Sequence, residues 1–280
     1  MDFRPLRLED QAWIKACRDT QAHPFTALSF PSLFAWREAY GLRVAGDADF
    51  FVIRSFYDGG YYCPCGTEEK CLAFIESLEA PARILYLTQE QAKRLEARAW
   101  TIRHRPDLSE YISSAASLAL LEGHVSNSFK VKCRHYRRNL DYSTHTLGEA
   151  DLPMLREMLE RLEADGSEGD FHDRDVLRTE IDNMEALGMR GLALEVPGGY
   201  HAFVLGYENK PDMFTMTMSK HDPALPTETT AVCVHELARI VAGEYSLVNL
   251  EEDLGLEGLR KAKELYSPID RLEVYEAIKT

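Results

Sequence analysis

Three carboxylates in a row, near the end of the chain, are the residues best suited to chemistry. Glu251, Glu252 and Asp253 directly follow the apolar run 245–250, which is typical of a buried strand. A carboxylate beside a reacting amine can accept a proton from it or bind it as an ammonium ion. We therefore treat all three as candidate catalytic residues for a group transfer to an amine.

A structural role for the same carboxylates is the alternative. At the end of an extended strand, Glu251 and Asp253 point to one side and Glu252 to the other. Asp253 is the best candidate to cap the helix that follows. A second carboxylate is expected to pair with Arg260. In this interpretation the acids fix the helix and do no chemistry.

The helix expected after Gly258 adds positive charge to the same region. Arg260 and Lys263 lie three residues apart, so they share a helix face, where either could bind a phosphate group. Ordinary pairs with glutamates four residues away, such as Glu257 with Lys261, are the structural alternative. The strand, the acids and this helix together form a strand-to-helix junction.

A second cluster is basic and lies in the middle of the chain. On a helix its three arginines share one face, and like charges at that spacing repel by about 0.2–0.5 kcal/mol per pair. A stabilising partner is therefore expected, either acidic side chains or a phosphate-bearing ligand. The cluster consists of Lys130, Lys132, Arg134, Arg137 and Arg138.

Composition limits the class of protein. The formal net charge of −14 over 280 residues disfavours broad nucleic-acid binding, including DNA, but is compatible with a local basic site. No apolar run reaches the roughly 20 residues that span a bilayer, and the N-terminus lacks the apolar core of a secretion signal. We therefore expect a cytoplasmic protein.

The cysteines do not indicate a metal site. Of the six, only Cys63, Cys65 and Cys71 form a cluster, and no second pair of ligands completes it in the manner of a zinc site. Free thiols, as in a reducing compartment, are the better explanation. No metal cofactor is expected.

Alternating strands and helices are predicted in the first half. An Asp-Gly-Gly turn at 58–60 is expected to join strands 50–56 and 61–63 into a hairpin. Helices and strands then alternate as far as residue 104. This pattern predicts an α/β layer structure.

The second half begins with two helices on either side of a polar loop at 165–170. Three strands over 192–219 are then expected to form an antiparallel meander, because short turns separate them. A helix at 231–242, the acidic strand-to-helix junction and a final strand at 272–278 complete the order.

This element order resembles the GNAT (acyl-CoA N-acyltransferase) fold. The segment 249–263 with Tyr266 and Pro268 is similar to a signature of a bacterial family of uncharacterised proteins. That family is similar to the C-terminal domain of phosphatidylglycerol lysyltransferases, a tandem GNAT arrangement related to the Fem-type aminoacyl transferases. The segments 33–37 and 137–139 also resemble features of the family.

The resemblance implies an α/β chain with mixed sheets and two tandem GNAT-like domains. We expect an N-terminal domain at 1–122, a basic connecting helix at 123–145 and a C-terminal domain at 146–280. The resemblance also implies a general-acid role for Tyr266. The alternative for this tyrosine is packing on the apolar face of its helix.

The resemblance further implies an acyl- or aminoacyltransferase. It would move a group from a phosphate-bearing carrier, CoA or tRNA, to an amine or hydroxyl. The phosphates would be bound by the arginines of the basic cluster and, from the C-terminal helix, by Arg260 and Lys263. The glycine-rich pyrophosphate loop of acetyl-CoA users is missing, because the corresponding segment, 222–231, has no glycine and contains Glu228. That departure favours an aminoacyl-tRNA user or a degenerate fold. The alternative function is a catalytically degenerate module that binds a small ligand or a protein partner.

Overall fold

Two compact units, interleaved in sequence, make up the computed structural model. The first unit combines residues 1–110 with 272–280, and the second comprises 111–271. The structure describes residues 1–164 and 171–280, and side chains at 163–172 and 200 are not described. The polar loop predicted at 165–170 lies outside the described residues.

The first unit is built on an eight-stranded sheet, with strands that run β1-β2-β3-β4-β6-β15-β7 and β5 paired to β3. Its strands are β1 (Arg4–Pro5), β2 (Leu42–Asp47), β3 (Phe50–Ser55), β4 (Tyr61–Tyr62), β5 (Cys65–Gly66), β6 (Ala82–Leu87), β7 (Thr101–His104) and β15 (Tyr275–Lys279). Its helices are α1 (Gln11–Thr20), α2 (Phe30–Trp36), α3 (Glu68–Ser77) and α4 (Gln89–Glu96).

The predicted hairpin is confirmed, since Arg54 of β3 pairs antiparallel with Tyr61 of β4. The final strand is also present, but it lies between β6 and β7 in the sheet of the first unit. Its pairing partners are about 170 to 200 residues away in sequence, so local pattern gives no indication of them.

A seven-stranded sheet, in the order β14-β8-β13-β12-β11-β10-β9, forms the centre of the second unit. Its strands are β8 (Glu110–Ser114), β9 (Ser143–Thr146), β10 (Met189–Val196), β11 (Tyr200–Lys210), β12 (Met213–His221), β13 (Leu247–Asn249) and β14 (Asp270–Leu272). Its helices are α5 (Ala115–Leu120), α6 (Asn127–Asn139), α7 (Leu152–Ala164), α8 (Phe171–Asp182), α9 (Thr229–Val241) and α10 (Glu257–Leu265). The predicted meander is confirmed, because β11 pairs antiparallel with both β10 and β12.

The basic cluster lies on α6, which belongs to the second unit. Ser126 caps this helix by accepting a hydrogen bond from the Phe129 backbone at 3.0 Å. Phe129, Cys133 and Tyr136 recur every three to four residues, so they lie on one face and are buried. The cations lie off this face, with the three arginines exposed and Lys130 and Lys132 half-buried.

The core of the second unit contains α9 almost entirely, and most of the helix is inaccessible to solvent. Three polar residues are buried within it: Thr229 at its first position, and His235 and Glu236 further along. Buried polar groups require hydrogen-bond partners, and those of His235 and Glu236 come from α5, from α6, from the segment that follows α6 and from Arg239 of α9 itself.

Candidate functional site

Asp253 is completely buried and is held by three donors. Its carboxylate accepts hydrogen bonds from Tyr111 Oη at 2.6 Å, from Arg260 Nε at 2.9 Å and from the Gly255 backbone at 2.8 Å. Burial opposes ionisation, but the hydrogen bonds from Arg260 and Tyr111 outweigh it and lower the pKa of Asp253. The predicted partner of Arg260 is therefore this carboxylate. Leu256 is the N-cap residue of α10, so Asp253 does not cap that helix.

Glu251 and Glu252 are only half-buried and stand where β13 ends. Glu251 adopts a left-handed backbone conformation, with φ of 61°. Its N–H donates to Asn249 Oδ1 at 2.8 Å, and its carbonyl accepts from the Tyr111 backbone at 3.1 Å. These bonds fix the backbone that carries both carboxylates.

The parallel strands β12 and β13 part beside these carboxylates. They pair at only three positions, from Met213 with Leu247 to Thr215 with Asn249, while β12 continues to His221. In open sheets, a crevice outside the carboxyl ends of parallel strands is a common place for ligands to bind. The acidic segment therefore lies just after the end of β13, next to the place where β12 and β13 diverge.

The diverging part of β12 is irregular, and a buried glutamate of α8 contacts it. The pairing with β11 shifts between Val204 and Gly206, which places an extra residue in β12 near Thr217. Thr217 Oγ1 donates to Glu180 Oε2 of α8 at 3.3 Å. Burial raises the pKa of Glu180 to about 8, so this carboxyl is largely protonated at neutral pH.

Arg137 connects α6 to His235 and Glu236, which are buried in α9. Its Nη2 lies 3.1 Å from Glu236 Oε1 and 3.4 Å from His235 Nε2. Glu236 also accepts hydrogen bonds from Tyr142 Oη at 2.8 Å and from Arg239 at 2.7 Å. Burial opposes ionisation, but these three donors lower the pKa of Glu236.

His235 is neutral in this arrangement. Burial lowers its pKa, although a hydrogen bond with a backbone carbonyl acts in the opposite direction. Its Nδ1 lies 2.8 Å from the Leu118 carbonyl and therefore donates to it, which leaves Nε2 as an acceptor facing Arg137. Sequence reasoning missed both His235 and Glu236. The available signal was two adjacent polar residues between the apolar residues Val234 and Leu237 of a mostly apolar helix.

Arg134 and Arg138 differ from Arg137 in their ion pairing. Both are exposed on α6, and no carboxylate within the described ranges forms an ion pair with either. The acidic partner expected from sequence is thus found for Arg137 and, at 3.7 Å in Glu228, for Lys132. The two unpaired arginines leave a positive surface on a chain whose net charge is −14.

The remaining predicted site residues have packing or backbone contacts. Tyr266 is buried in the core, with its ring edge-to-face with Phe129 at 5.2 Å, and burial raises the pKa of its hydroxyl. Lys263 donates to the Leu250 carbonyl. Arg260 and Lys263 therefore both bind the segment that carries the acids, whereas the contacts of Arg137 are with α9 and Tyr142.

Neither a metal site nor a membrane span is found in the described parts of the chain. Residues 1–164 and 171–280 contain no group of three or more His, Cys, Asp or Glu side chains placed to hold a metal ion. Within the same ranges, every helix is too short or too polar to cross a bilayer.

Comparison with known proteins identifies the family. The model of the family described as "Phosphatidylglycerol lysyltransferase, C-terminal" matches residues 21–278. The chain belongs to this family. No curated protein matches the sequence.

Three solved structures are similar over nearly the whole chain. A conserved protein of unknown function from Bacteroides thetaiotaomicron is 26% identical, with a TM-score of 0.86 and full coverage of both chains. The C-terminal domain of a proposed lysylphosphatidylglycerol synthetase from Agrobacterium fabrum is 12% identical, with a TM-score of 0.68 and coverage of 98% of this chain and 93% of that one. L-PGS from Bacillus licheniformis is 14% identical, with a TM-score of 0.61 and coverage of 92% of each chain.

FemX also shares the fold, at 9% identity, with a TM-score of 0.59 and coverage of 100% of this chain and 98% of that one. These likenesses and the two mixed sheets confirm the predicted fold class. The chain is a mixed α/β protein of the tandem GNAT-like type. Identities of 9–14% establish the shared fold and no shared reaction.

Proposed function

We propose that this member of the phosphatidylglycerol lysyltransferase C-terminal family is an aminoacyl- or acyltransferase, with its reaction site in the second unit. The observation that carries the proposal is the divergence of β12 from β13, with Glu251 and Glu252 at the strand end that borders it. An acyl group entering between the strands would reach these carboxylates at the carboxyl end of β13.

The acids would act on the accepting amine. Its nitrogen attacks the carbonyl carbon of the carrier-bound group, a C–N bond forms, and the C–O or C–S bond to the carrier breaks. Glu252 or Glu251 takes the proton that the nitrogen releases, and the departing carrier oxygen or sulfur gains one. Asp253, Arg260 and Lys263 hold the segment in place, since their contacts fix its backbone.

The exposed arginines of α6 are the best candidates to bind the carrier. Arg134 and Arg138 are unpaired by any described carboxylate, whereas Arg137 is anchored on the buried Glu236. Guanidinium groups suit phosphate oxygens because their donors form a planar fork. A charged tRNA fits this surface better than CoA does, because the segment before α9 contains Glu228 and no glycine.

Carrier binding can be tested by calorimetry with aminoacyl-tRNA and with acyl-CoA. The double variant R134E/R138E is expected to weaken binding of the true carrier at least tenfold and to reduce its salt dependence. The variant K93E/R98E changes the net charge equally in the first unit, at Lys93 of α4 and at Arg98 in the turn after it, where both residues are exposed, and should bind normally. Equal losses in the two variants, or no binding of either carrier at submillimolar concentration, would overturn the proposed carrier site.

A catalytically degenerate binding module is the second candidate. It is favoured by the structural contacts that already account for Asp253, Tyr266 and Arg137. Transfer of a labelled aminoacyl group to small amines distinguishes the two. A transferase should lose most of its turnover in the pair E251Q/E252Q while carrier affinity is kept, whereas a degenerate module binds a carrier and transfers nothing.

A further inference from the structure

The first unit contains a large pocket that the proposed reaction does not use. Its volume is about 740 Å³, within the range of small-molecule sites. It lies between the end of α1, the start of α3 and the start of α4. All its lining residues belong to the first unit.

The pocket arises where β4 and β6 separate. These strands pair in parallel at only Tyr61 with Ile84 and Tyr62 with Leu85. The chain then turns at Pro64, and β5 pairs with β3 on the other side. No strand of the described residues fills the space that opens past Tyr62, so it remains available to a ligand.

The inner wall is apolar. Apolar side chains and thiols line it. The thiols are neutral at physiological pH, because burial raises the pKa of Cys71 to about 11 and raises the pKa of Cys63 well above its usual value. An apolar group is therefore favoured against this wall, where it is removed from water. The principal lining residues are Leu72, Ile75, Leu87, Leu95, Cys63 and Cys71.

Gln21 supplies an acceptor with no partner. Its Nε2 donates to the Gly66 carbonyl at 3.0 Å and to Cys71 Sγ at 3.2 Å, which fixes the amide at the start of α3. Its Oε1 is buried and accepts no hydrogen bond from any described residue. A buried acceptor without a donor is costly. Because Gln21 also lines the pocket, a rotation of its amide that turns Oε1 toward the pocket would let a ligand N–H or O–H group satisfy it.

Charge at the rim selects among such ligands. Glu68 and Glu90 both pair with the single cation Arg94, at 2.8 Å and 2.7 Å, so the rim carries one excess negative charge. The same glutamates lie in the first turns of α3 and α4 and offset the positive ends of those helix dipoles. An anionic ligand is disfavoured, and an ammonium group is favoured.

We propose that this pocket binds a small amphipathic primary amine. Its apolar body lies against Leu72, Ile75 and Leu95, and its amino group donates to Gln21 Oε1 near the glutamates of the rim. This site goes beyond the transfer reaction proposed for the second unit and does not depend on it, because every residue invoked lies in the first unit.

The test measures binding of three ligands of equal chain length to the full chain by calorimetry. n-Hexylamine is expected to bind, 1-hexanol more weakly, and hexanoate at least tenfold more weakly than the amine. L72W should abolish binding by filling the pocket. If hexanoate binds as tightly as hexylamine, if no ligand binds at millimolar concentration, or if L72W binds normally, the proposal is wrong.

Two further variants separate ligand recognition from folding. Q21M removes the acceptor while keeping the side-chain length, and E68Q/E90Q removes the rim charge. Each should weaken hexylamine about tenfold and reduce the preference over hexanoate. The control E69Q/E96Q alters exposed glutamates of the same two helices outside the pocket and should leave both unchanged. A loss in the control as large as that in E68Q/E90Q contradicts recognition at the rim.

Discussion

At the scale of single residues, the neighbours of Asp253 explain why an ionised carboxylate can be buried there. Tyr111 and Arg260 both donate to it, and it has no exposure to solvent. The substitution D253N keeps the shape but removes the charge that Arg260 pairs with. We expect a loss of about 1–3 kcal/mol in the free energy of unfolding in urea at neutral pH.

The same variant has a defined pH dependence. The pKa of Asp253 is lowered from 3.8, so its stabilisation is present above that value and is lost as the pH falls through the folded-state pKa. The stability gap between wild type and D253N should therefore close in acid. The control E257Q changes an exposed carboxylate of the neighbouring helix. If D253N is as stable as E257Q at neutral pH, the contacts of Asp253 do not contribute as argued.

For Glu180 we expect stability to change with pH in the opposite direction. Its pKa is raised by burial from 4.5 to about 8, so the folded state keeps a proton that the unfolded state has released. Between those two values the stability of the wild type falls as the pH rises, by up to about 1.4 kcal/mol per pH unit. The variant E180Q has no such group and should lose less stability over this range.

Unfolding by urea near pH 5 and near pH 8 checks this. E180Q should gain on the wild type between the two conditions, and E185Q, which alters an exposed glutamate in the turn after α8, should follow the wild type. Parallel behaviour of E180Q and the wild type would show that Glu180 titrates normally.

At the scale of elements, α10 lacks a side-chain cap at its N-terminus, and a single substitution could provide one. Leu256 is its N-cap residue, has an extended backbone suited to capping and is exposed, but its side chain forms no hydrogen bond with the helix. L256S supplies an oxygen that can accept a hydrogen bond from the first turn. We expect a stability gain of about 0.5–1 kcal/mol in thermal or urea unfolding.

L259S is the matched control, since it exchanges an exposed leucine for serine inside the same helix. Serine has a lower helix propensity than leucine, so this variant should be slightly destabilised. A stabilisation of equal size in both variants would mean that loss of exposed apolar surface, and not capping, is responsible.

Elements with strong local patterns could be predicted from the sequence, and others could not. The helix of the basic cluster and the meander follow from caps, turns and periodicity, and both are present. β2 was missed because it ends in Gly46 and Asp47, which weaken a strand pattern. The contacts of Arg137 with His235 and Glu236 join residues about 100 positions apart, which no local pattern specifies.

At the scale of the whole molecule, the chain leaves the first unit at residue 110 and returns to it at residue 272. The resemblance to tandem GNAT proteins predicted the two-part α/β architecture, because element order is a property of the sequence. The return of the last strand to the first sheet is a non-local pairing, and its energy depends on residues of β6 and β7 as well as on its own.

This connectivity makes the first unit dependent on the last residues of the chain. Ala277 is completely buried and stands opposite Ile84 on one side and Ile102 on the other. Proline at this position removes a donor from a central strand and should disrupt the pairing. In A277P, amide hydrogen exchange should accelerate relative to the wild type in β6 and β7, and it should accelerate less in β11 of the second unit.

Deletion of Thr280 alone, which lies beyond β15, should leave exchange unchanged. Equal acceleration in β6, β7 and β11 would show that the two units unfold as one, and no acceleration in β6 and β7 would show that β15 does not stabilise them.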